Sequence, residues 1–364
     1  MAAPKKKPVG RKATKTAKAK KAPAAATADQ DESQTPESES GITRLERRSA
    51  KDADLIRQDR SIQLVHGMFV MDANPNIRLT ERQEIQGIEL VYRFSPMSAF
   101  ALRVLHALAG MLQLSFRGEI TSFSIEDVRN ARPGAEAAWT QMGKGAPSFG
   151  EFLTTIRTSN RQLAEAVGEN TSGPALKRVY ETLKQLSEVM IHMKNPATDM
   201  EVSTPLIQVG RQGGDIVIIV NPRMVKTVAQ RTVGAFTVLS ARDVRNMRGQ
   251  AAVLLYTRLC AIVNAGATCS VGQDKLEMYI WGNALEISPE TREARKGRVK
   301  ALRRALIELE EHGWKIAEVR SSRGESPVYQ ISRPEFTPAQ RRQLKHSNPP
   351  AQLTLLPEAS DPGS

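Results

Sequence analysis

One arrangement of helices and a strand occurs twice in this chain, and the two copies match at a fixed offset. Leu183, Leu186, Glu188 and Ile191 recur as Leu306, Leu309, Glu311 and Trp314, each 123 residues later. Duplication of a folding unit is the simplest source of such a match, because each copy must bury equivalent side chains in the same local geometry. In the first copy, residues 96–114 read as an apolar helix, and Ser159 caps a short helix that runs through residue 167. A longer helix over 171–188 and a strand over 189–194 follow. In the second, an apolar helix over 249–263 precedes a short strand over 268–271, a short helix over 273–281 and a long helix over 289–312 that Gly313 stops. Residues 314–320 and 328–331 then alternate like a hairpin around Ser322, Arg323, Gly324 and Glu325. Helix, strand, helix, helix, hairpin is the order of a winged helix. The expected fold is therefore mixed α/β (α+β), with tandem winged-helix domains.

A chain of 364 residues is too long for one ordinary core. The expected parts are an arm over 1–54, a first winged-helix domain with an N-terminal extension over 55–205, a second over 206–336, and a flexible tail over 337–364. Ile216 to Val220 is an unbroken β-branched run, suited to a buried strand joining the halves, with a turn over 211–214 beside it. Residues 236–240 read as an internal strand, with a contact in a homodimer as the alternative. Regular structure is expected to stop near Pro334.

Charge narrows the partner. Lysine and arginine number 52 against 39 acids, a formal +13. Residues 1–21 hold nine bases and no acid, too polar to offset ordering entropy, and residues 29–40 hold five acids and no base, so the arm should be disordered. Without those blocks the remainder still carries +9, so the folded part is basic in its own right. Such a surface favours a polyanion, because neutralised phosphates release condensed counterions. No run approaches the roughly 20 apolar residues of a membrane span, and the lysine-rich start lacks the apolar core of a signal peptide. The expectation is a soluble, cytoplasmic protein with no membrane partner. Cys260 and Cys269 are the only cysteines and belong to no closely spaced ligand set, so no metal site or disulfide is expected.

The long helix of the second copy carries the sharpest functional signal. Val299, Leu302, Leu306 and Leu309 form one apolar stripe. About a quarter-turn round lie Arg292, Lys296, Lys300 and Arg303, with Arg295, Arg298 and Arg304 beside them. Bases come early and Glu308, Glu310 and Glu311 late, the reverse of what the helix macrodipole favours. That polarity suits a helix whose first turns enter the major groove. Arg292, Arg295 and Arg303 are candidates to read guanine edges, since arginine donates bidentately. Lys296, Lys300, Arg320 and Arg323 would fix position on phosphates. In the first copy Ser159, Asn160, Arg161, Thr171, Ser172, Lys177 and Arg178 occupy the equivalent places and are less basic. The alternative for all of these is a solvated charged face.

Catalytic signatures are missing from the sequence. It has no phosphate loop of the type G-x-x-x-x-G-K-[ST], and His66, His106, His192, His312 and His346 are scattered. Nothing pairs a nucleophile with a base, so neither enzymatic activity nor a cofactor is expected.

The second half resembles the RepC replication-initiator family of IncQ-type broad-host-range plasmids. IVIIVNP (216–222), TRLCAIV (257–263), YIWG (279–282), RKGRVKALRRALIELEEHGWKIAEV (295–319) and YQISRP (329–334) carry the resemblance, which extends loosely over 55–336. It implies binding to direct repeats (iterons) at a plasmid origin, opening of an AT-rich region, and loading of a replicative helicase with a primase as further partner. The lysine-rich start, the glycine-bearing segment 134–150 and the tail depart from the pattern and leave host range, plasmid or chromosomal residence, and helicase source open. A tandem winged-helix transcriptional regulator is the alternative function. In the tail, Gln352, Leu353, Thr354, Leu355 and Leu356 resemble the short peptide that docks on bacterial sliding clamps, the alternative being leucines that pack back on the body.

Overall fold

The computed structural model describes residues 55–85, 87–115, 154–196, 199–212, 214–229, 236–282, 291–319 and 326–341. The basic arm, segment 134–150, Arg320, Arg323 and the tail with Gln352, Leu353, Leu355 and Leu356 lie outside the described residues.

The chain enters through β1 (Leu55–Asp59), the short α1 (Arg60–Leu64), the hairpin β2 (Leu79–Ile85) and β3 (Ile88–Phe94), and α2 (Ala99–Ser115). Next come β4 (Thr154–Thr158), α3 (Asn160–Val167), α4 (Gly173–Ser187), β5 (Met190–Asn195), β6 (Met200–Pro205), β7 (Ile207–Gln212) and β8 (Asp215–Val220). The second copy runs through α5 (Pro222–Ala229), β9 (Phe236–Ser240), α6 (Ala241–Asn246), α7 (Gln250–Ile262), β10 (Thr268–Gly272), α8 (Gln273–Trp281), α9 (Arg292–Glu311), β11 (Lys315–Val319) and β12 (Val328–Ser332). Helices and antiparallel sheets alternate, so the fold is mixed α/β.

Every element read from the repeat is present, and the shifts at its ends have local causes. The first apolar helix starts at Ala99 rather than residue 96 because the Met97 backbone is already engaged: its N–H donates to the Met68 carbonyl at 2.8 Å and its carbonyl accepts from Val70 N at 2.8 Å. Ser159 and Gln162 close a reciprocal capping box on α3. At the far end of α9, Gly313 takes φ 85, a left-handed conformation that costs glycine little. The Trp314 N–H then reaches back to the Leu309 carbonyl at 3.2 Å. Structure also continues past Pro334. Thr337 and Gln340 cap a further helical turn, Gln340 N donating to Thr337 Oγ1 at 3.2 Å and Thr337 N to Gln340 Oε1 at 2.9 Å. Pro338 at the first helical position suits that turn, where an N–H would have no partner.

In the second copy the strands form one sheet in the order β10-β12-β11, with Lys315 to Val319 facing Ser332 to Val328 as the expected hairpin. The first copy differs. There β5 joins a four-stranded sheet in the order β2-β3-β5-β6, fed by a hairpin that precedes α2. The β2–β3 hairpin was not part of the reading of the sequence; its strands pair from Leu79–Phe94 to Ile85–Ile88, and Gly87 has φ 75. β8 is the buried strand anticipated between the halves, flanked by β4 and β7, and Gly214 at φ 90 forms its turn. β9 pairs antiparallel with β1, as the internal-strand reading expects.

One continuous core draws from both copies, including Leu105, Leu108, Leu183, Leu186, Leu255, Leu259, Leu302, Leu306 and Leu309. Gly282 shows how closely the parts approach: a Cβ there would lie 2.9 Å from Val70 Cγ1 and 3.0 Å from the Gly67 Cα. Cys260 is buried, which pushes its thiol up to about 11 and makes it a poor nucleophile. No helix among the described residues is long and apolar enough to cross a membrane.

Candidate nucleic-acid interface

The second copy presents α9 as a partly uncovered rod. Thr291 caps it, its side chain accepting from Ala294 N at 3.2 Å. Leu302, Ala305, Leu306 and Leu309 are buried against α7 and α8, and Val299 is half-buried. From Arg292 to Gly297, by contrast, every side of the helix is exposed. Arg292, Arg295, Lys296, Lys300, Arg303 and Arg304 are exposed, whereas Arg298 is half-buried. An unpacked helical end gains no burial energy from its own chain, so its cationic surface has to be explained by solvent or by a partner.

The hairpin braces this helix through one polar contact. Tyr329 on β12 is buried, and its hydroxyl hydrogen-bonds Arg303. Burial, with Glu318 nearby, raises the phenol, while the Arg303 cation partly opposes the shift. Arg303 is thus tied to the hairpin.

The late acids of α9 also gain a different explanation. Glu308 reaches the start of α7, where its carboxylate accepts from the backbone N–H groups of Arg248 and Gly249, the latter at 3.0 and 3.2 Å. It serves as a cap supplied by another helix, so the charge polarity of α9 is not wholly owed to an external anion. His312 Nδ1 lies 3.4 Å from Asp243 on α6 at the same end.

In the first copy several candidates are occupied within the fold. Ser159 Oγ caps α3 and Ser159 is half-buried, as are Asn160 and Thr171. Ser172 Oγ donates to Asn170 Oδ1 at 2.5 Å. Arg178 lies with its guanidinium 3.9 Å from the centre of the Phe100 ring and 3.9 Å from Glu169. Arg161 and Lys177 are exposed. Arg211, read from the sequence only as part of a turn, stacks on Tyr180 of α4 at 4.1 Å and adds an exposed cation beside that helix. No sequence signal links them, because the contact depends on how β7 folds back over α4.

No group of three or more His, Cys, Asp or Glu among the described residues is placed to hold a metal. A cavity lined by Arg57, Gln58, Asp59, Ile62, Gln63, Leu105, Ala109, Met224 and Val228 has a volume of about 10 Å³, room for roughly one water and not for a nucleotide.

Comparison with known proteins identifies a family. The family model described as Replication protein C (RepC) matches residues 91–335. No curated protein matches the chain. Among solved structures, the chain is similar to RctB domains 2–3 at 11% identity, over 75% of this chain and 95% of that one, with a TM-score of 0.43. It is also similar to the Pi initiator protein in complex with iteron DNA, at 10% identity over 76% and 96% of the two chains, again with a TM-score of 0.43. The family match takes in both copies of the repeat from β3 to the end of β12, and on that match the chain belongs to the Replication protein C (RepC) family.

Proposed function

We propose that the chain is the origin-binding replication initiator of an IncQ-type replicon, recognising direct repeats in double-stranded DNA through two winged-helix units, 55–205 and 206–336. The observation that carries this is the bare, cationic first half of α9, buried along one stripe only from Leu302 onward. Its exposed arginines would meet guanine edges and its lysines phosphates. α4 is the equivalent element of the first unit, with Lys177 exposed on it and Arg161 exposed on α3 before it.

Several copies bound to neighbouring repeats would bend the duplex and help open an AT-rich stretch, where flexible steps deform at least cost. The covalent and ATP-driven chemistry would then belong to a recruited helicase and primase, acting with this non-enzymatic protein in the cytoplasm. The clamp-docking tail and self-association are further contacts of the same proposal.

Protection mapping of the DNA flanking the gene, with the purified full chain, tests the function directly. Several protected direct repeats beside an AT-rich tract, with permanganate reactivity appearing in that tract, are expected. A single protected inverted repeat over a promoter would replace the initiator by a transcriptional regulator, and no protection would remove both.

A further inference from the structure

The peptide unit between Met247 and Arg248 is held from both sides. Its carbonyl accepts a hydrogen bond from Arg103 Nη2 on α2, and its N–H donates to Glu308 on α9. The next N–H, that of Gly249, also donates to Glu308. A cation from the first half and an anion from the second therefore meet across one peptide bond. Glycine at 249 is part of the device: its φ of −79 is open to any residue, but a Cβ there would lie 2.6 Å from Glu308 Oε2. A side chain there would push the carboxylate, the movable end of Glu308, off the two N–H groups.

Arg103 has a second set of neighbours. One turn earlier on α2, Phe100 carries the Arg178 guanidinium of α4 on its ring, and Arg178 also pairs with Glu169 in the connection from α3. Arg103 is largely withdrawn from water, which lowers its pKa, while Glu169 and Glu308 act in the opposite sense from the two sides. α2, which carries both Phe100 and Arg103, thus connects α4 to the Met247 carbonyl, and the Arg248 and Gly249 N–H groups connect onward through Glu308 to α9. Its members are the two helices assigned to reading DNA and the contacts between them.

We propose that Arg103 and Glu308 are positioning residues that hold α4 and α9 at a set separation, so that the protein selects the spacing between two blocks of bases as well as the blocks themselves. This rests on the DNA-reading role given above to the two helices. Neither residue needs to touch DNA. Their effect is to make one spacing cheap and others costly, because a rigid pair of readers cannot slide along the groove to meet a displaced block.

The test is selection from a pool of random duplexes of about 40 base pairs, long enough for several helical turns. The full chain would be compared with its Glu308→Ala, Glu308→Gln and Gly249→Ala variants. Wild type should enrich two blocks at one spacing. Glu308→Ala and Gly249→Ala should enrich the same blocks over a spread of spacings, with discrimination against a spacer altered by two base pairs falling about tenfold. Their affinity for an unselected mixed-sequence duplex should stay within about twofold of wild type, since the phosphate contacts are untouched. Glu308→Gln keeps an acceptor for one N–H and should show a smaller loss, which gives a readable variant should the alanine forms prove unstable in thermal unfolding. If wild type selects two blocks at one spacing and the folded variants select them equally strictly, the positioning role is overturned while DNA reading stands. If wild type enriches a single block, the spacing proposal falls alone, and if it enriches no sequence, the DNA-reading function falls with it.

Discussion

His106 is buried within α2, and neither of its ring nitrogens has a hydrogen-bond partner among the described residues. Burial, aided by the neighbouring Arg103 charge, pushes its pKa down to about 3 from an ordinary value of 6.5. The folded protein therefore binds the proton more weakly than the unfolded chain does. The stability of the neutral form is complete above pH 6.5 and is lost as pH falls toward 3, at up to about 1.4 kcal/mol per pH unit. His106→Leu keeps the volume and removes the titration. Urea unfolding midpoints followed from pH 7 to pH 4 should fall less steeply in this variant than in wild type, and parallel curves would remove His106 as the acid-sensitive group.

Among the elements, α9 divides into a packed half and a bare half, and substitutions should sort accordingly. Lys300→Ala removes one exposed cation, so affinity for any duplex should drop similarly and the logarithmic salt slope should flatten by about 1. Arg295→Ala should instead cost about 1–3 kcal/mol on the preferred sequence and relax preference at one base position. Binding titrations on matched and mismatched duplexes at several salt concentrations separate the two, and unchanged binding in both would remove α9 from the interface. Much of this element was legible in the sequence, because the apolar stripe and the Gly313 stop are local; its start was read at residue 289, whereas Thr291 caps it and the helix begins at Arg292. The roles of Glu308 and Arg303 were not, since Gly249 and Tyr329 meet them only after distant segments have packed.

For the molecule as a whole, the repeat is two copies of a pattern built around a shared core. β1 pairs with β9, and Asp59 at the end of β1 meets Arg223 of α5 at 2.5 Å. This contact is an ion pair rather than a well-aligned hydrogen bond, since neither Asp59 Oδ2 nor Arg223 Nε has a partner in hydrogen-bond geometry. Asp59 is almost wholly buried, and its other oxygen accepts from Ser61 N at 2.8 Å. Asp59→Asn should destabilise the fold by about 2–4 kcal/mol, the lower part of the range applying because the Arg223 side chain keeps 20% of its surface exposed. Calorimetry should show one unfolding transition moved to lower temperature. Two transitions, only one of them shifted, would mean that the halves melt separately.

The order of elements within the repeat, the Ser159 cap, the Gly313 stop and the basic stripe of α9 follow from the sequence alone, because helix periodicity, capping and turn formation depend on residues a few positions apart. The tertiary structure decided the pairing of β1 with β9, the different sheets given to the two copies, and the clasp of Arg103 and Glu308 on one peptide unit. Those contacts join residues far apart along the chain. Their partners are chosen by which surfaces can be buried together, and that is a property of the packed molecule rather than of any short stretch of it.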